Sequence, residues 1–182
     1  MGDIGRLNPT GASQATARGD NLPYSGVQAS HKMAETDLPR MNQYKSIITT
    51  AARQFNQDPA VVAGIISRES RAGAGLSSAG TGDYGHAFGL MQIDNRWHTP
   101  RGGPYSLDHL MQATEILSDM HRLIRGKFPN WNADQVLQGA LAAYNIGQQR
   151  VDSWQNIDAH TTHGDYSNDV IARAQFYRQR GY

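Results

Sequence analysis

No cysteine occurs anywhere in the chain, so neither a disulfide nor a thiolate-bound metal can hold the fold together. Stability must come from a buried core, which 182 residues are enough to build. A surplus of one charge is lacking as well: 17 Lys and Arg stand against 16 Asp and Glu, for a formal net charge of +1. With no block of like charge, nothing marks a nucleic-acid partner. No stretch reaches the roughly 18 consecutive apolar residues of a membrane span. The opening Met1–Arg6 has no apolar signal-peptide core, and Arg6 occupies the position where a myristoylation signal needs Ser or Thr. The expectation is a chain without nucleic-acid or membrane partners. Its localisation stays open, with secretion favoured over cytoplasmic residence or non-classical release.

What the chain does have is concentrated between Asp58 and Asp94. Asp58-Pro59 predicts a helix start, with Asp capping and Pro at the first helical position, where its missing N–H is not needed. Val62, Ile65 and Ile66 recur at helical spacing, and the next position on that face is Glu69. A carboxyl on an apolar stripe at the negative end of a helix has its charge disfavoured twice, by desolvation and by the dipole. Both effects raise its pKa toward the range of a general acid. Position alone also suits an ordinary solvated Glu at a helix boundary. The following loop holds Gly73, Gly75, Gly80, Gly82, Gly85 and Gly89, and it carries two further carboxylates, Asp83 and Asp94. Glycine at that density lets backbone approach a ligand closely. A neutral carboxyl facing ionised ones across such a cleft is the arrangement of glycoside hydrolysis.

Elsewhere the pattern predicts a mostly α-helical α+β domain. Residues 1–36, rich in small and polar types, read as an irregular arm lying on a catalytic domain of residues 37–182. Asp37 and Pro39 suggest the start of a helix carrying Met41, Tyr44, Ile48, Ala51 and Phe55. Gly89–Asp94 is the most strand-like piece of a small, irregular sheet. A long helix is expected from Ser106 to Arg125 with Gly126 at its C-cap. Another begins at an Asn132/Gln135 capping box and ends at Gly147. A short helix over 148–155 and a last one from Asp165 to Gly181 complete the chain. Packing is the default role for Trp97, Trp131 and Trp154. His160 and His163 are spaced like a ligand pair, but no further residues complete a metal site, so no metal or cofactor is expected.

Three motifs then carry a resemblance. Ile66-Ser67-Arg68-Glu69-Ser70, Gly89-Leu90-Met91-Gln92-Ile93-Asp94 and Ala143-Tyr144-Asn145, in that order and spacing, resemble goose-type lysozymes. The closing Thr161–Val170 segment is similar to the same family's tail. The likeness covers residues 37–182 and extends loosely into the arm. Bird members carry two disulfides that this chain lacks, as some fish members do. Thr81 stands where the bird sequences are expected to have Trp, and the Glu69–Asp83 spacing is one residue longer.

The resemblance implies a lysozyme-like fold, a helical body with a small antiparallel sheet along a substrate groove. It implies hydrolysis of the β-1,4 bond between N-acetylmuramic acid and N-acetylglucosamine in bacterial peptidoglycan, with inversion, by a monomer in antibacterial defence. Glu69 matches the catalytic acid, and Asp83 and Asp94 match two aspartates that position the attacking water. Gln92, His98, Tyr144, Asn145 and Tyr166 fall where the family holds N-acetyl sugars. From the residues alone, Asp83 also suits a turn, Tyr144 a core position, His98 an ordinary loop and Tyr166 simple packing. A lytic transglycosylase, or an inactive peptidoglycan- or chitin-binding protein, remains the alternative.

Overall fold

In chain order the structure, a computed structural model describing residues 1–182, contains seven α-helices and three short strands. Helices α1 (Gln14–Arg18), α2 (Val27–Asn42), α3 (Lys45–Gln54) and α4 (Pro59–Ser70) precede β1 (Thr81–Gly82), β2 (Ala87–Phe88) and β3 (Ile93–Asp94). Helices α5 (Leu107–Lys127), α6 (Ala133–Ile146) and α7 (Tyr166–Arg178) follow. No helix is long and apolar enough to cross a membrane.

Helix α4 is the centre. The Asp58 carboxylate accepts from the Ala60 amide at 2.8 Å, and Pro59 opens the helix, as its sequence predicts. Every residue from Ala60 to Ser67 is buried. A helix apolar on all sides must be surrounded, and α2, α3 and α7 surround this one. Gly64 permits the closest approach: a β-carbon there would stand 2.8 Å from the Val170 carbonyl oxygen of α7. The strands pair antiparallel in the order β1-β2-β3, with Thr81 opposite Phe88 and Phe88 opposite Ile93.

Several boundaries differ from expectation. The helix start expected at Asp37 lies inside α2, which crosses position 36/37 without a break. Asp37 does not cap, because its carboxylate is turned inward and accepts from Ser67 Oγ at 2.7 Å and Arg40 Nη2 at 2.8 Å. The chain breaks instead at Gln43-Tyr44, so the expected single helix is the end of α2 plus α3. Gly126 is not a cap either. Helix α5 continues to Lys127, whose ammonium donates to the Gln148, Gln149 and Val151 carbonyls, and Phe128 ends the helix stacked on Trp131. The strand-like stretch narrows to Ile93–Asp94, because Gly89 (φ 79°) and Gln92 (φ 55°) form a left-handed turn. A single 3-10 turn, Gln148–Arg150, replaces the helix expected over 148–155. The last helix ends at Arg178.

The first residues are structured. Ile4 and Leu7 join the main core, and Gln175 Nε2 of α7 donates to both of their carbonyls. Replacing Gly64 by Ala forces α4 and α7 apart, an overpacking that costs about 1–3 kcal/mol. Thermal unfolding should show it as a Tm lowered by about 2–4 °C per kcal/mol.

Candidate active site

Glu69 is the last residue but one of α4, which stops where Arg71 turns left-handed (φ 52°). Its carboxyl is partly buried at the edge of a groove, and burial raises its pKa to about 7. Two groups oppose that rise without cancelling it. The Tyr166 hydroxyl donates to Oε2 at 2.8 Å, and the positive charge of Arg68 favours the anion.

Arg68 would hold its neighbour in the ionised form if its charge were free, and it is not. The nearly buried guanidinium pairs with Asp165 at 2.9 Å and Asp169 at 2.8 Å, and it donates to the Thr162 carbonyl at 3.1 Å. Burial acts against the Arg68 charge, but Asp169 and Asp165 outweigh it and raise its pKa. Arg173 closes the cluster from α7, bonding Asp169 at 3.0 Å and Ser67 Oγ at 3.0 Å. Burial acts against the Asp169 carboxylate as well, and Arg173 and Arg68 overcome it. The arm is tied in through the Ser13 amide, which donates to Asp165 at 2.8 Å. Sequence reading missed this network. Its one signal was charge at buried-face positions, Arg68 and Asp169 among them.

Across the groove, side chains from three helices pin the turn between β2 and β3. Ser70 Oγ of α4 donates to the Leu90 carbonyl at 2.8 Å, and Tyr144 Oη of α6 donates to the Met91 carbonyl at 2.7 Å. The Met91 amide donates to His109 Nε2 of α5 at 3.0 Å. Gln92 folds back on the Ala87 and Gly89 carbonyls. Asp94 follows in β3, gripped by Arg96 through Nε at 3.0 Å, Nη2 at 2.8 Å and the amide at 2.9 Å. The side-chain bond from Arg96 lowers the Asp94 pKa to about 2, so Asp94 is ionised at neutral pH. Asp83 is exposed, with a left-handed backbone (φ 49°), beside a fully exposed Tyr84.

The structure brings Glu69, Asp83, Gln92, Asp94, His98, Tyr144 and Asn145 to one cavity of about 480 Å³. Tyr166 is not on that wall. It lies buried behind the acid, its ring 5.2 Å from the Arg68 guanidinium, and borders an adjoining cavity of about 260 Å³ that shares Glu69. On the other side the groove continues into a cavity of about 720 Å³ that shares Asp94, His98 and Tyr144. Asn145 and Thr162 border all three segments, joined by the Thr162 amide donating to Asn145 Oδ1 at 2.9 Å.

The tryptophans divide. Trp131 stacks on Phe128 at 3.9 Å and meets Trp154 edge-on, which is packing. Trp97 departs from its expected packing role: it is 81% exposed and borders the groove beyond Asp94. Its position directly after Asp94-Asn95-Arg96 was the available signal. His160 and His163 have separate partners, Asp152 at 2.7 Å and Thr16 Oγ1 at 3.0 Å.

In solution the Glu69 carboxyl should titrate near pH 7, followed by carbon-detected NMR of labelled carboxylates. Tyr166→Phe removes the donor that favours the anion, so the midpoint should move upward; an unmoved midpoint would contradict the contact. Because the folded pKa lies above the usual 4.5, the stability linked to protonation is full below that value and is lost as pH rises through 7. Glu69→Gln should therefore match the parent near pH 4 and exceed it near pH 8, by at most about 3 kcal/mol at about 1.36 kcal/mol per unit.

Comparison with known proteins bears on the identity of this groove. The sequence profile described as Lysozyme g matches residues 1–181. A "Lysozyme g" of Takifugu rubripes is 55% identical over 183 residues, covering 97% of this chain and 96% of the relative. A "Lysozyme g" of Struthio camelus is 51% identical over 181 residues, covering 100% and 88%. A "Lysozyme g" of Gallus gallus is 49% identical over 181 residues, covering 100% and 85%. With that agreement running from the arm to the last helix, the chain belongs to the lysozyme g family.

Proposed function

We propose that the groove binds the glycan strand of bacterial peptidoglycan and hydrolyses the β-1,4 bond from N-acetylmuramic acid to N-acetylglucosamine. The observation that carries this reading is the contrast of two carboxyls in one cavity: Glu69, raised to about 7, and Asp94, lowered to about 2. Two carboxyls whose pKa values are pushed apart divide the work of acid and base.

Glu69 donates its proton to the glycosidic oxygen as the bond to the anomeric carbon lengthens. A water on the opposite face attacks that carbon, held by the oxygens of Asp94 and Asp83. Asp94, already paired with Arg96, is a weak base at this pKa, so it first orients the water. The water's proton passes to the carboxylate of Asp94 or Asp83 only as the new C–O bond forms, balancing the proton that Glu69 gives up. Attack from that face inverts the anomeric configuration, and carboxyls about 6.5–9.5 Å apart leave room for the water. Gln92, His98, Tyr144 and Asn145 supply the amides and rings that an acetamide and a sugar face need. Tyr166 acts on the acid instead, by holding Oε2 and leaving the other oxygen to carry the proton. Trp97 offers an open ring for a sugar face farther along the groove.

All of these groups come from one chain, so a monomer is sufficient. The substrate lies outside the producing cell, and antibacterial action follows once the enzyme reaches it. No step calls on a cofactor.

Glu69→Gln should lower lysis of bacterial walls by about 10²–10⁴-fold, the range of a lost general acid, while N-acetylglucosamine oligomers still bind. Unaltered lysis would remove Glu69 from the mechanism. Mass spectrometry of digested wall should find reducing ends, with NMR showing the inverted anomer first; a 1,6-anhydro product would instead indicate a transglycosylase. Trp97→Ala should weaken binding of the longer oligomers by about 1 kcal/mol, the scale of an aromatic contact, read by titration calorimetry.

A further inference from the structure

His109 is completely buried in the first turn of α5, and the reaction proposed above does not use it. Its ring nitrogens are not equivalent. Nε2 faces the Met91 amide at 3.0 Å, and an amide can only donate, so Nε2 must be unprotonated. The single ring proton then sits on Nδ1, which is buried without a partner. The fit around the ring is close. Phe88 meets it edge-on at 5.6 Å, and a β-carbon on Gly89 would stand 2.5 Å from it, a position that Gly89 also suits by its left-handed backbone.

This contact is one leg of the three-helix support under Leu90 and Met91. The other two legs, Ser70 and Tyr144, donate to carbonyls, whereas His109 alone accepts from an amide. The segment so held leads directly into Gln92 and Asp94. We propose that His109 is a positioning residue of the active site, its neutral Nε2 latching the Gly89–Gln92 backbone so that Gln92 and Asp94 stay opposite Glu69, and that protonation of the ring opens this latch and sets the acid limit of activity. The proposal deepens the reading above and rests on it for the roles of Asp94 and Gln92.

The physical reason is a change of hydrogen-bond sense. A protonated Nε2 is a donor facing the Met91 donor, inside a site that also disfavours the charge. Burial depresses the His109 pKa to about 4. The groups against the ring, the Met91 amide, Phe88 and Gly89, carry no charge, and burial alone accounts for the depression. A released imidazole titrates at the ordinary 6.5. As pH falls from there, the released form gains a proton that the latched form resists, so the latch weakens down to about 4 and loses nothing further below. Asp94, at about 2, would by itself keep its charge well beyond that point.

Three measurements test this. Nitrogen NMR of the labelled imidazole should show Nδ1 protonated and Nε2 bare at neutral pH, with a midpoint near 4. The Met91 amide should exchange faster, relative to its intrinsic rate, as the ring protonates. In the pH profile of kcat/KM, His109→Gln, which can place a non-titrating acceptor near the Nε2 position, should stay within about threefold at neutral pH and move the acid limb down by a unit or more. His109→Leu, with no acceptor, should lose about 10–100-fold in kcat, the scale of a misplaced catalytic group.

A ring protonated on Nε2 at neutral pH would overturn the proposal. So would an acid limb unchanged in His109→Gln, or equal activity of the Gln and Leu variants. If His109→Leu does not fold, the imidazole spectrum and the His109→Gln profile decide. The spectrum and the amide exchange are read without substrate, so failure of the latch is seen apart from failure of the roles given to Glu69 and Asp94.

Discussion

A protonated carboxyl beside a permanently charged arginine is unstable unless the arginine is occupied elsewhere, and much of this structure exists to occupy it. Arg68 precedes Glu69 in the chain, and an unengaged guanidinium at that distance would pull the acid back to the ordinary carboxylate range. Asp165 and Asp169 engage the guanidinium and offset its charge. That leaves Glu69 with one neutral donor, Tyr166, and with a burial that disfavours its charge. The α4–α7 contact through Gly64 is the mechanical condition for this pairing, since both aspartates and Tyr166 belong to α7 or its cap.

The same division of labour organises the groove. Buried charges are paired beneath it, where unpaired ones would be strongly destabilising. The carboxylates proposed to act on substrate, Asp83 and Asp94, are displayed on short, turn-rich backbone opposite. Strands of two residues cannot hold such a wall by their own ladder, so helices α4, α5 and α6 hold it through Ser70, His109 and Tyr144. The groove is formed by a buried helix on the Glu69 side and is supported from behind on the Asp94 side.

Part of this was legible in the chain itself. The Asp58-Pro59 start, the apolar run ending in Glu69 and the Asn132/Gln135 box all rest on contacts a few residues apart, where local rules apply. The motif around Asp94 and the one ending in Asn145 place residues of the same cavity in sequence order. Boundaries governed by distant partners were not legible. Asp37 looks like a cap until Ser67 and Arg40 claim its carboxylate, and Gly126 looks like a stop until Lys127 finds three carbonyls across the chain. Trp97 looked like core and is open, because hydropathy does not say which side of a turn faces solvent.

The sequence by itself determined the helical body, the absence of cross-links, the acid at the end of its central helix and the carboxylates to face it, because periodicity and capping act over a turn or two. Only the tertiary structure decided which protons those carboxyls hold. A pKa depends on which charges and donors lie within a few ångströms, and Tyr166 and Asp169 acquire that relation to Glu69 and Arg68 through folding. The same holds for His109, whose sequence neighbours give no hint that it lies against a glycine twenty residues earlier and accepts from the backbone that carries the groove wall.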